Sequence, residues 1–184
     1  MWWPETPRLT RLLAVFALAG LTAGCFQPLY GDSSIVPSAG LDNRLAGVRV
    51  QPILTPNGSP LARVGVGVRN ELIYDLTGGG NPGNATHQLT VSLSSTQLQV
   101  IVDVNTARPE IQNYGIDATY TLTDLATGKA VVKGQTFSRV SYDIPGQEQR
   151  FAASRGLRDA ENRAAKVIAD NIRSRLASYF VAGS

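Results

Sequence analysis

The chain has 184 residues, enough for one ordinary domain with a processed leader and too few for two full domains. Its net charge of +3 is too small to point to nucleic acid, and it falls to +2 (15 basic against 13 acidic residues) when residues 1–24, with Glu5, Arg8 and Arg11, are set aside. A single cysteine, Cys25, and a single histidine, His87, exclude an internal disulfide and a Cys/His zinc site.

The N-terminus has the three parts of a secretory signal. Arg8 and Arg11 are basic, residues 12–21 form an apolar run, and the small residues Ala23 and Gly24 stand directly before Cys25. The run is shorter than the ~20 residues that span a bilayer. Residues 22–25 resemble a bacterial lipobox, although Thr22 stands where leucine is commonest. The resemblance implies that residues 1–24 are removed as a signal peptide. Cys25 then carries a diacylglycerol and an N-linked acyl chain such as palmitate. No other cofactor is expected. Each acyl chain contributes ~0.8 kcal/mol per buried CH₂, so several together make a stable anchor. Phe26 follows the cysteine instead of Asp, which by the same resemblance implies export to the outer membrane.

Residues 25–45 show no period and contain Pro28, Gly31, Pro37 and Gly40, which predicts an extended lipidated tether. Its first part, residues 25–31, is aromatic and stiffened by Pro28, which suits either a docking strip or a disordered spacer. Val48, Val50 and Pro52 alternate with Arg49 and Gln51, predicting a short edge strand. Ser59-Pro60 then reads as a helix start, with the Ser59 hydroxyl accepting from a free N–H. Leu61, Val64, Val68, Leu72 and Leu76 make one apolar stripe, and residues 77–80, Thr-Gly-Gly-Gly, stop the helix. Gly65 and Gly67 cost roughly 1 kcal/mol each against alanine, tolerable where the helix presses on a sheet.

Residues 86–104 read as one long strand. Leu89, Val91 and Leu93 share one parity, while Leu98, Val100, Val102 and Val104 share the other, which predicts a bulge within 94–97. A turn holding Thr106, Ala107, Arg108 and Pro109 is expected next. Tyr114, Ile116, Ala118, Tyr120 and Leu122 alternate cleanly, residues 124–129 with Gly128 make a hairpin turn, and residues 130–144 form a fourth strand. Val132, Val140, Tyr142 and Ile144 are in phase there, while Phe137 is on the other face, so both faces are expected to be covered. Residues 151–180 make a long helix with Leu157, Ala160, Ala164, Val167, Ile168, Ile172, Leu176 and Tyr179 on one stripe. The expected fold is an α+β two-layer sandwich over residues 46–181. It has a four-stranded, mostly antiparallel sheet with two helices on one face, in the order β-α-β-β-β-α.

Nothing in the motifs points to catalysis. His87 lies near a strand start with no nucleophile at motif spacing. Residues 65–70 lack the third glycine of a dinucleotide loop, and residues 78–83 follow a helix instead of preceding one. From residue 150 onward seven basic residues face only three acids (Asp159, Glu161, Asp170), which suits either an anionic partner or a solvated face.

Several pieces, in this order, resemble the LptE family of lipopolysaccharide-assembly lipoproteins, in its alphaproteobacterial form. They are the strip 25–31 (Cys-Phe-Gln-Pro-Leu-Tyr-Gly), which lacks one glycine of the family's opening; Arg69-Asn70-Glu71-Leu72; residues 118–124 (Ala-Thr-Tyr-Thr-Leu-Thr-Asp); Ser141-Tyr142; and Asp159, Ala160 and the ending 175–179 (Arg-Leu-Ala-Ser-Tyr). The resemblance implies a non-enzymatic protein lipid-anchored at the periplasmic face of the outer membrane. It implies two partners, an LptD-like barrel that the protein plugs and helps assemble, and lipopolysaccharide. The alternative is an accessory lipoprotein of another outer-membrane assembly complex. Lipopolysaccharide phosphates call for arginines at an exposed end. In an antiparallel meander Arg108, Arg150 and Arg155 fall at one end, which makes them the candidate binding cluster.

Overall fold

The computed structural model describes residues 40–80, 82–103, 108–144 and 150–182, with 100–103, 108–110 and 150 described by backbone alone. They belong to the second of two units, Met1–Pro37 and Ser38–Ser184. The elements are α1 (Leu41–Ala46), β1 (Val48–Val50), α2 (Pro60–Thr77), β2 (His87–Asp103), β3 (Arg108–Asp124), β4 (Ala130–Asp143) and α3 (Arg150–Val181). The sheet runs β1-β2-β3-β4, with β1 parallel to β2 and the other pairs antiparallel. This is the expected four-stranded, mostly antiparallel α+β sheet, with one helix more than the sequence suggested.

That helix is α1, inside the segment read as a tether. Leu41 and Leu45 stand four apart and both are buried, so one helical turn puts two leucines into the core. Arg44 on its outer side donates to the Phe180 carbonyl at 2.8 Å, satisfying an oxygen at the C-terminal end of α3.

Helix α2 begins and ends as the residues require, with one difference. Pro60 is at its first position and Ser59 has extended backbone at the cap, but the Ser59 hydroxyl makes no capping bond. The Ala62 N–H is taken by the Ser59 carbonyl instead, at 3.0 Å. At the other end Gly78 adopts φ 70°, and its N–H and that of Gly79 return to the Tyr74 and Ile73 carbonyls. Val64, Val68, Leu72 and Leu76 are buried, as their spacing requires. The two glycines press on something other than the sheet. Gly65 faces Ile53 and Thr55 in the segment after β1, and Gly67 faces Ala165 of α3.

The long strands β2 and β3 have 17 residues each, and β4 has 14. One face of the sheet holds the core. Leu89 and Val91, then Tyr114, Ile116, Ala118, Tyr120 and Leu122, then Val132 and Tyr142 lie buried beneath α2 and α3. Alanines 160, 164, 165, 169 and 177 of α3 are buried with Ile168, Ile172 and Leu176, so this helix lies close on the strands. Val167 is 41% exposed and off that stripe. Each fully buried leucine or isoleucine is worth ~1.5–3 kcal/mol.

The expected bulge within 94–97 is absent. Ser94 to Gln97 pair continuously with Asp117 to Tyr114, and the irregularities lie between Gln99 and Val102. No extra residue is needed because Leu98 stays on the opposite face, where it is 62% exposed. Phe137 shares that face at 66% exposure, so among the described residues no element covers the sheet there, contrary to expectation. The β3–β4 turn is built as anticipated. Gly128 takes φ 69°, and the Asp124 carboxylate accepts from the Ala126 N–H at 2.7 Å. That bond holds the Asp124 carboxyl below its usual range.

Asp75 on α2 has an oxygen buried without a hydrogen-bond partner. Desolvation, and then the charge of Asp170, push its pKa above the ordinary carboxylate range, outweighing Arg173 and Lys166. A carboxyl raised in the folded state holds its proton more tightly there than in the unfolded chain. Its effect therefore turns unfavourable as pH climbs from the unfolded towards the folded pKa. Asp75→Asn is expected to raise the melting temperature at about pH 7 and to leave it unchanged near pH 3, below both pKa values. A gain of equal size at both pH values would show that ionisation is not the cause.

Candidate functional site

The meander brings two junctions to one end of the sheet. Asp103 of β2 pairs with Arg108 of β3, and Ile111 of β3 pairs with Asp143 at the end of β4, from which the chain passes to α3. Arg108 is thus the first residue of β3, not part of a turn, and lies three residues, about 10 Å of strand, beyond the last β3–β4 pair. Residues 104–107, with Thr106 and Ala107 of the expected turn, lie outside the described residues. Arg150 is the first residue of α3, and Arg155, on its second turn, is exposed. The backbone therefore places Arg108 and the start of α3 at the same end. Cys25 and the strip 25–31 lie outside the described residues.

A groove of about 510 Å³ lies between that end of the sheet and α3, lined among others by Ile111, Tyr142, Asp143, Gly156, Asp159 and Arg163. Gly156 lets α3 approach the sheet, since a Cβ there would meet the Asp143 carbonyl at 3.4 Å and the Tyr142 ring at 3.5 Å. Tyr142 donates its hydroxyl proton to Gln112 Oε1 at 2.6 Å, and burial pushes its pKa up, so it stays a neutral donor. Arg163 is a further basic residue at this end, missed by the sequence reading. It donates to Asp159 at 2.7 Å and to the Ser141 carbonyl at 3.3 Å. Its spacing from Asp159, i to i+4 on a helix, was the signal available. A helix start carries unpaired N–H groups and a partial positive charge, so cationic side chains around it suit a phosphate or carboxylate.

The uncovered sheet face has a different chemistry. Thr90, Ser92, Ser94 and Thr96 on β2 and Thr119, Thr121 and Thr123 on β3 share it by register. Arg139 lies across it, bonded to both Asp117 oxygens at 2.8 and 3.0 Å and to the Ile116 and Ser138 carbonyls at 3.1 Å each, with its guanidinium 5.5 Å from the Phe137 ring centre. Gly115 makes the slot, because a Cβ there would stand 2.8 Å from Arg139 Cδ and 2.7 Å from Thr96 Oγ1. The Ser/Thr alternation was legible in the sequence, but the ion pair across two strands was not.

His87 is occupied structurally. Its Nδ1 is 2.9 Å from Thr86 Oγ1, its ring meets Phe180 edge-on at 5.2 Å, and burial lowers its pKa. Among the described residues there is no group of His, Cys, Asp and Glu placed to hold a metal ion. No helix among them is long and apolar enough to cross a membrane.

Comparison with known proteins agrees with this architecture. Similar solved structures include a protein described as a lipoprotein from Caulobacter crescentus, at 21% identity with TM-score 0.63, covering 79% of this chain and 98% of that one. Rare lipoprotein B from Shewanella oneidensis is similar at 16% identity with TM-score 0.51, covering 73% of this chain and 96% of that one. At these identities the likeness is one of fold. No curated protein sequence matches significantly. The family model for lipopolysaccharide assembly, LptE, matches residues 45–176, a span from the end of α1 to the last turns of α3. The chain therefore belongs to the LptE family of lipopolysaccharide-assembly proteins.

Proposed function

We propose that this chain is an outer-membrane lipoprotein, held at the periplasmic face through acylated Cys25. It occupies the lumen of an LptD-like barrel, helps that barrel assemble, and binds lipopolysaccharide during its delivery to the cell surface. The single observation that carries the reading is the family match over nearly all of the described fold. The strand register supports a location for the lipid contact, since Arg108 and the start of α3 with Arg150 and Arg155 share one end of the sheet. The role is one of binding, with no reaction assigned to any residue. A wide barrel lumen is polar, and the hydroxyl-rich open sheet face is chemically compatible with such a wall.

The test is affinity purification of the full-length tagged protein from outer membranes. An LptD-like barrel should be recovered with it. Recovery of other assembly factors alone would favour an accessory role in another complex. Mass spectrometry of the membrane-extracted protein should show a chain beginning at Cys25 and carrying acyl mass, and Cys25→Ser should abolish that mass. An intact leader, or cleavage elsewhere without lipid, would defeat the anchor. For the arginines, Arg108→Asp with Arg155→Asp should weaken lipopolysaccharide binding about tenfold or more without changing the melting temperature. Unchanged binding would remove the cluster.

A further inference from the structure

Among the described residues, strand β2 has a long free rim on the side away from β3. Leu89 turns its carbonyl towards β1, where it accepts from the Gln51 N–H at 2.9 Å, and β1 itself ends at Val50. The N–H and C=O of a strand residue point to the same side and alternate along the chain. Val91, Leu93, Ser95, Gln97 and Gln99 therefore turn their backbone groups to that same rim. Among the described residues none of them has a backbone hydrogen bond across it.

Exposed edges are ordinarily protected by charge, proline, bulges or shortness. This one lacks the first two over its whole usable length. Residues 88–102 contain no charged residue, no proline and no glycine, and the pairing with β3 is regular as far as Gln99. The opposite edge strand, β4, carries Lys133, and Arg163 of α3 donates to its Ser141 carbonyl. Among the described residues the two edges are thus built differently, one guarded by charge and one uncharged.

We propose that the β2 rim is a strand-addition site, where an extended, uncharged segment of a partner chain joins the sheet through backbone hydrogen bonds. Resting on the reading above, the partner is the barrel protein. Backbone pairing supplies the affinity in this mode, and alternate side chains supply selectivity. On the helix side of the rim Leu93 is only half-buried, and Ile53, in the segment that leaves β1, is likewise only partly covered by the core. On the other side stand Ser92, Ser94 and Thr96. A segment with apolar residues at alternate positions and small polar residues between them matches both sides. A second copy of this chain matches less well. Antiparallel self-pairing that uses all five rim residues must centre on Ser95, which sets Leu93 against Gln97 and Val91 against Gln99, apolar groups against amides.

The backbone parity makes the test specific. Gln97 turns its N–H to the rim, so Gln97→Pro deletes a rim donor and spares the bonds between β2 and β3, whereas proline at Leu98 would break them. Gln97→Lys instead places a charge beside the rim without touching the backbone. Both variants, made in the full-length tagged chain, should recover about five- to tenfold less barrel from outer membranes than the unaltered chain does. Gln97→Lys should leave the melting temperature of the purified protein unchanged. Undiminished recovery with both variants overturns the strand-addition site and leaves the barrel partnership standing. Failure of the unaltered chain to recover any barrel overturns the partnership itself and the named occupant with it. A third variant, Ser95→Cys, is oxidised in the membrane. A covalent dimer of this chain would identify a second copy on the rim and also overturn the proposal.

Discussion

Gly134→Val is expected to destabilise the domain by about 3 kcal/mol, lowering the melting temperature by roughly 10 °C. Gly134 on β4 is paired with Tyr120 on β3, and the tyrosine ring is folded over it on the core face. A Cβ at position 134 would stand 2.5 Å from the Tyr120 hydroxyl oxygen and 2.6 Å from Cζ, well inside van der Waals contact. The ring has little room to yield, since Tyr120 is 6% exposed within the core. Glycine in a strand interior is ordinarily a weakness, and here the aromatic ring covers the backbone that the missing side chain leaves bare. Shortening the partner should relieve the clash. Tyr120→Leu in the Gly134→Val background should cost less than the sum of the two single changes, as read by urea denaturation in a double-mutant cycle. Strict additivity would mean that the ring and the strand do not meet as described.

Arg63→Ala is expected to cost about 2–3 kcal/mol, an unusually large effect for a residue whose side chain is 46% exposed. The reason is its partner. Glu161 on α3 is 4% exposed, and Arg63 on α2 forms an ion pair with it while donating to Asn162 Oδ1 at 3.4 Å. Water screens the arginine end and weakens the attraction itself. The larger part of the loss comes from leaving a buried carboxylate without its cation. Replacing both residues with leucine should recover most of that loss, because no charge is then left buried. Equal destabilisation by Arg63→Ala and by the double leucine variant would show that packing of the arginine stem, not compensation of the carboxylate, matters here.

Much of this was present in local patterns. The alternation of residues 114–122, the α2 stripe at steps of three and four, and the glycines that end α2 and turn β3 into β4 are all readable within a short stretch of chain. Each reports a period or a dihedral demand, and such demands do not depend on what lies across the molecule. Two features do not follow from local pattern. Leu98 is apolar yet lies on the open face, so the change of parity among the apolar residues of β2 requires no bulge at 94–97. Leu41 and Leu45 escape detection because a single helical turn is too short to show a period.

The sequence by itself therefore settled the four strands, the two longer helices, their order and the alternation of residues 114–122, since these follow from backbone geometry and nearest neighbours. Only the tertiary structure decided which sheet face the helices cover, which strand edge is unpaired among the described residues, and which distant residues meet. Arg63 and Glu161, Gly134 and Tyr120, and Arg139 and Asp117 become neighbours through helix packing or strand register, not through closeness along the chain. The physical reason is that hydrophobic burial is non-directional. A pattern shows which residues seek cover, and only the packed fold shows what covers them.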